Sequence, residues 1–125
     1  MKKLLIAVLL ASSPALADPD TLGVNPCTSA LANSCILKTT GGQLFDFNVF
    51  VTTASYVMLV DSATVPGSGT VTPVKSYGVT LNSDKTVSWI PNAITFFNGI
   101  TLLCSSAVPP TYTPATTCIF SGETR

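Results

Sequence analysis

The 125-residue chain carries six basic and six acidic residues, four cysteines and no histidine, and 46% of it is hydrophobic. The basic residues past position 3, Lys38, Lys75, Lys85 and Arg125, are scattered, which excludes a nucleic-acid surface built on a basic patch. Without histidine the Ser-His and Cys-His nucleophile pairs are unavailable too. Low charge with much Thr, Ser and Val points to a β protein with a hydroxyl-covered surface, and leaves self-association open.

Residues 1–17, MKKLLIAVLLASSPALA, place two lysines before an apolar run from Leu4 to Ala11 and end on small residues around Leu16. That is the three-part layout of a bacterial secretory signal peptide. The apolar run is shorter than the roughly 20 residues that span a bilayer, so cleavage before Asp18 and no later membrane span are expected. Aspartate rather than cysteine would follow the cut, so a lipid anchor is not indicated. The remainder holds four basic against six acidic residues, a formal charge of −2, and suits one domain.

A periplasmic or secreted destination is oxidising, so Cys27, Cys35, Cys104 and Cys118 are read as two disulfides among three available connectivities. Sequential pairing is favoured because an antiparallel hairpin through "ITLLCSSAVPPTYTPATTCIF" would set Cys104 opposite Cys118 and Leu103 opposite Ile119. A metal site would want histidine or Cys-x-x-Cys spacing, so none is expected, and no cofactor is implied.

Residues 18–34 read as an extended leader, with Pro19 and Pro26 opposing helix and "TSALANSC" offering one helical turn. A β domain over residues 35–125 follows. "CILKTT" runs to a Gly41-Gly42 turn, and "FDFNVFV" alternates so that Phe45, Phe47, Val49 and Val51 share one face. "SYVMLVD" is apolar on both faces, as a central sandwich strand is. A turn or loop at Pro66 and Gly67 leads to a strand that Pro73 restricts to an edge or bulge. "NSDK" is a turn before "TVSWI", and Asn98-Gly99 predicts a tight hairpin between "ITFF" and "ITLLCSS". The last strand is "TTCIFSG". These elements predict an all-β fold, a single jelly-roll-like or immunoglobulin-like β-sandwich of seven to eight strands.

Candidate chemistry is thin. Paired carboxylates could come from Asp46, Asp61, Asp84 and Glu123, with Asp84 in a turn and Glu123 near the chain end. Asp61 ends a hydrophobic strand, where it reads as an Asx-turn residue accepting from backbone N–H groups just ahead of it. "PGSG" lacks the lysine and following helix of a phosphate loop. Phe45, Phe47, Phe96, Phe97, Phe120 and Trp89 read as core, whereas Tyr56, Tyr77 and Tyr112 read as surface. Tyr112 with Pro109 and Pro110 forms a candidate binding loop, stapled at its base by the second disulfide. No catalytic, cofactor or metal residue is assigned.

From about Leu44 to Glu123, the segments "YVMLVDSATVPGSGTVTPVKSYGV", "VSW", "FFNGITLLCSS" and "TCIFSG" resemble a group of small β-sandwich proteins from phage and prophage structural-gene regions of proteobacteria. The resemblance implies a virion-like accessory module working through protein or surface contacts, with no catalytic residues to carry over. A signal peptide and disulfides depart from a virion protein assembled in the cytoplasm, so this chain reads as an exported relative. The expected function is a non-catalytic binding or structural module contacting a protein or a cell-surface glycan. A small secreted hydrolase or glycan-active enzyme and a fimbrial-type subunit stand as alternatives.

Overall fold

The computed structural model of the chain describes residues 23–27 and 30–125. The expected signal peptide, the first part of the leader, and Thr28 and Ser29 lie outside these. Eleven strands and no helix occur among the described residues: β1 (Gly23–Pro26), β2 (Ser34–Lys38), β3 (Gly42–Val51), β4 (Ser55–Val60), β5 (Gly69–Thr70), β6 (Lys75–Val79), β7 (Ser83–Ser88), β8 (Ile94–Phe96), β9 (Ile100–Ser105), β10 (Thr111–Tyr112) and β11 (Cys118–Thr124). The all-β sandwich expected from the turn-punctuated sequence is what forms, with more and shorter strands than the seven to eight predicted.

All strand pairs are antiparallel. The first sheet runs β1-β11-β3-β7, with β8 also paired to β3; the second runs β2-β9-β4-β6; β5 and β10 form a two-stranded ribbon. The leader therefore contributes to the domain, because Gly23–Pro26 pairs with Ser121–Thr124 at the rim of the first sheet. The expected helical turn in "TSALANSC" is replaced, over its described residues, by a bridge from Ala32 to Cys118 and by the start of β2.

The two sheets face each other across a core that includes Leu44, Phe47, Val49 and Val51 of β3, Val57 and Leu59 of β4, Leu102 and Cys104 of β9, and Cys118 and Phe120 of β11. Burying a side chain of this size contributes about 1.5–3 kcal/mol, so the alternating residues of β3, β4 and β9 dominate the fold's stability. Central β4 uses both faces as its sequence predicts: Val57 and Leu59 enter the main core, while Met58 and Val60 join Leu103 in a second cluster on the sheet's outer side. In β3 the alternation breaks near Phe45, where the pairing shifts from Glu123↔Asp46 to Thr124↔Leu44 and leaves Phe45 as the extra residue. Leu44 thus takes the main-core place expected for Phe45, and Phe45 is buried outside that cluster with the Arg125 guanidinium 5.4 Å from its ring.

Both disulfides form with the sequential pairing, Cys27–Cys35 and Cys104–Cys118, but the second does not close the expected hairpin. Cys104 sits on β9 in one sheet and Cys118 on β11 in the other, 6.1 Å apart at Cα. Leu103 registers with Met58 and Ser34, and Ile119 with Phe50. The second bond is thus an inter-sheet staple through the core. The first likewise ties the end of β1 in one sheet to β2 in the other.

Two local expectations change and a third holds in part. "NSDK" does not turn as a unit: the turn falls at Leu81-Asn82, with Asn82 at φ 52°, and Asp84 lies within β7 opposite Phe50. Pro73 falls in a non-strand segment, and the strand after it, β6, is the edge of its sheet. Asn98-Gly99 joins β8 in one sheet to β9 in the other and is no hairpin. A tight type I′ turn needs positive φ at both central residues, and neither Asn98 nor Gly99 has it. Gly99 is needed instead for close approach, since a Cβ there would lie 2.6 Å from the Ser62 carbonyl oxygen.

Candidate functional site

The connection from β8 to β9 is held by contacts from several sides. β4 delivers Asp61 directly after Val60, and its carboxylate reaches across 36 residues of sequence to the crossover. Asp61 Oδ1 accepts the backbone N–H of Asn98 at 2.7 Å and of Gly99 at 3.3 Å, and both carboxylate oxygens lie 3.0 Å from the Phe97 nitrogen. The local Asx turn expected for Asp61 does not form. Ser62 makes the local turn in its place, its hydroxyl bonding the Thr64 carbonyl at 2.7 Å and accepting the Thr64 N–H at 3.1 Å.

Behind the turn, the Ser62 carbonyl accepts the Thr101 hydroxyl at 2.8 Å, and the backbone at Ser62 and Ala63 presses on Gly99. On another side Gly41 admits the Phe97 carbonyl oxygen so closely that a Cβ at Gly41 would stand 2.6 Å from it. A backbone gripped by a carboxylate and bounded by two glycines is restrained at each residue. Its side chain, however, is free: Phe97 is 80% exposed, the most exposed of the large hydrophobic residues described. Phe97 does not take the core place expected for it beside Phe96. Only Phe96 goes there, because it belongs to β8 whereas Phe97 is already in the crossover.

The N–H groups of Asn98 and Phe97, and less so Gly99, hold the Asp61 carboxyl below the ordinary aspartate value of 3.8, with burial opposing them. A lowered folded pKa means the clamp is fully present above the unfolded value. It is lost only as pH falls through the lower folded value. At any pH above the ordinary carboxylate range the turn is therefore held by a full negative charge.

Within the expected binding loop, Tyr112 does not stand at the surface. Tyr112 is buried at 1% exposure against Met58, Val60 and Leu103, and its hydroxyl donates to the Asn33 carbonyl at 3.1 Å. Burial pushes its phenol up from the ordinary value of 10. The proline-rich segment folds back because Thr111–Tyr112 pairs with Gly69–Thr70, and because the Ser105 hydroxyl accepts the Thr113 N–H at 3.0 Å. Pro110 stays exposed and Pro109 half-buried at the surface of this cover. Tyr56 and Tyr77 are half-buried; Tyr77 packs on the core with its ring 5.6 Å from that of Phe47, and burial raises its phenol as well. Trp89 packs against the core 5.9 Å from the same ring.

Pro66 and Gly67 sit in the loop after Asp61. Gly67 is open to solvent, and Pro66 joins Val60, Asp61, Ser62, Thr70, Val71 and Thr72 around a hollow of about 270 Å³. A second hollow of about 360 Å³ lies between the ends of β4 and β6 at Ser55, Tyr56, Gly78 and Val79. Of the four acids considered for catalysis, Asp46 and Glu123 are register partners on β3 and β11, whereas Asp84 is on β7 and Asp61 is in the clamp. The Asp46–Glu123 pair lies along the outer face of a sheet, half-exposed, in line with the Asn48–Thr86 hydrogen bond two residues away. Among the described residues no three His, Cys, Asp or Glu side chains gather to hold a metal ion. No described helix is long and apolar enough to cross a membrane.

Comparison with known proteins finds no match to this chain, whether among family models, curated proteins or solved structures.

Proposed function

We propose that the protein is an exported binding module, a phage-derived β-sandwich relative that attaches to a protein or glycan of the cell surface through the Phe97 turn. The observation that carries this reading is a phenylalanine 80% exposed on a backbone whose three successive N–H groups donate hydrogen bonds to one carboxylate. An exposed phenylalanine gains nothing for the fold. On a rigid turn it loses little entropy when it enters a partner's pocket, which is how aromatic anchors come to dominate interfaces. The two inter-sheet disulfides support an oxidising destination outside the cytoplasm.

A fimbrial-type subunit would be built by strand addition to an exposed sheet edge, and it predicts polymers on purification where the binding-module reading predicts none. The carboxylate pair Asp46–Glu123 is the geometric basis of the hydrolase alternative, but its setting on an open sheet face provides no enclosure for a substrate.

The test is co-sedimentation of the purified protein with washed bacterial envelopes, left intact, treated with protease or oxidised with periodate. Wild type is expected to sediment with intact envelopes, and Phe97→Ser to bind about tenfold or more weakly with unchanged thermal stability. Loss after protease identifies a protein receptor, and loss after periodate a glycan. Equal binding by wild type and Phe97→Ser would refute the contact.

A further inference from the structure

Asn98 is followed by Gly99, the neighbour that least obstructs a particular self-reaction. In it, the nitrogen of the following residue attacks the asparagine side-chain carbonyl carbon. We infer that Asn98 is a site of spontaneous deamidation restrained by Asp61, and that its conversion is a one-way release of the Phe97 turn. The Gly99 nitrogen gives up its proton and bonds to Asn98 Cγ, the Cγ–Nδ2 bond breaks, and ammonia leaves with that proton. Water then opens the five-membered imide at either carbonyl, leaving aspartate or isoaspartate at position 98. The only co-reactant is water, and Asn98 is exposed to it.

Three features of the turn oppose the first step. The N–H that must be lost is bonded to Asp61 Oδ1 at 3.3 Å, and a fixed carboxylate disfavours forming an anionic nitrogen beside it. The Asn98 N–H is bonded to the same oxygen at 2.7 Å, so the peptide units on both sides of Asn98 are anchored together. Gly99 is buried against the backbone of Ser62 and Ala63, which obstructs the rotation that brings its nitrogen to Cγ. Once reaction occurs, residue 98 carries a carboxylate on the turn that Asp61 already holds with its own negative charge. A second negative charge on the residue whose N–H Asp61 accepts weakens the grip, and an isoaspartate adds a backbone methylene that the three-amide geometry does not fit. The chemical step stands independently; its consequence for attachment rests on the Phe97 contact proposed above.

The experiment incubates the full chain, the Asp61→Ala variant and the free peptide FFNGITL at mildly alkaline pH. Peptide mapping follows the gain of one mass unit, and the isoaspartate, at position 98. The peptide is expected to convert fastest and wild type slowest, at least about tenfold slower than the peptide, with Asp61→Ala between them. Wild type converting as fast as the free peptide would overturn the inference, whether or not Asp61→Ala folds. Converted wild type, separated by charge, is then assayed on envelopes. Weaker sedimentation than unconverted protein supports the release, and undiminished sedimentation refutes the release while leaving the chemistry measured on its own.

Discussion

Replacing Cys104 and Cys118 together by alanine is expected to lower the unfolding free energy by about 3 kcal/mol from loop entropy alone, with a further loss from packing. The entropic part follows from their separation of 14 residues. The packing part arises because both cysteines are fully buried in the main core, joining β9 of one sheet to β11 of the other. The Cys27 and Cys35 pair, separated by 8 residues and with Cys27 only half-buried, should cost less, about 2.5 kcal/mol. Urea unfolding under non-oxidising, non-reducing conditions compares the two double variants directly. If the Cys104 pair proves no more costly than the Cys27 pair, the core staple contributes nothing beyond closing a loop.

Tyr112→Ala should destabilise by about 3–5 kcal/mol, the range for removing a large buried aromatic. Tyr112 is the lid of a second apolar layer: without it Met58, Val60 and Leu103, all buried now, would face water on the outer side of the β9–β4 sheet. Tyr112→Phe isolates the hydroxyl. The Asn33 carbonyl also accepts the Cys104 N–H at 2.8 Å, so it keeps a partner and the loss should be only about 1 kcal/mol. Thermal and urea unfolding of the two variants separate the contributions. A neutral Tyr112→Ala would mean that the proline-rich segment is a free surface loop, the role its composition first suggests.

What the sequence reveals and what it conceals divide along a physical line. Strand identity is local, so the two-faced apolar run of β4 and the alternation from Phe47 to Val51 in β3 are readable directly. The pairing of cysteines is readable as well, although from a wrong geometry, because sequential pairs are close whether they cross a hairpin or cross a core. Sheet membership is not local. Asn98-Gly99 has the residues of a hairpin turn, yet the backbone of Ser62 and Ala63 fixes it as a crossover, and nothing near it in sequence announces that. Tyr112 was misplaced for a related reason: the apolar outer face that claims it belongs to β4 and β9, and the double-sided apolarity of β4 was the available hint. Phe97 carried a weaker signal, two phenylalanines in succession at a strand end, of which alternation can bury only one. Asp61 drew attention as a lone acid closing an apolar strand. The residues that it serves are 36 to 38 positions away, beyond the reach of any turn rule.

Asp61 holds the Phe97 turn in one conformation, and amide hydrogen exchange at near-neutral pH reads this residue by residue. The amides of Phe97 and Asn98 are expected to be protected in wild type, although both residues are exposed, and to exchange freely in Asp61→Ala while β4 and β9 keep their protection. Rapid exchange of these amides in wild type, or protection undiminished in Asp61→Ala, would contradict that role of Asp61.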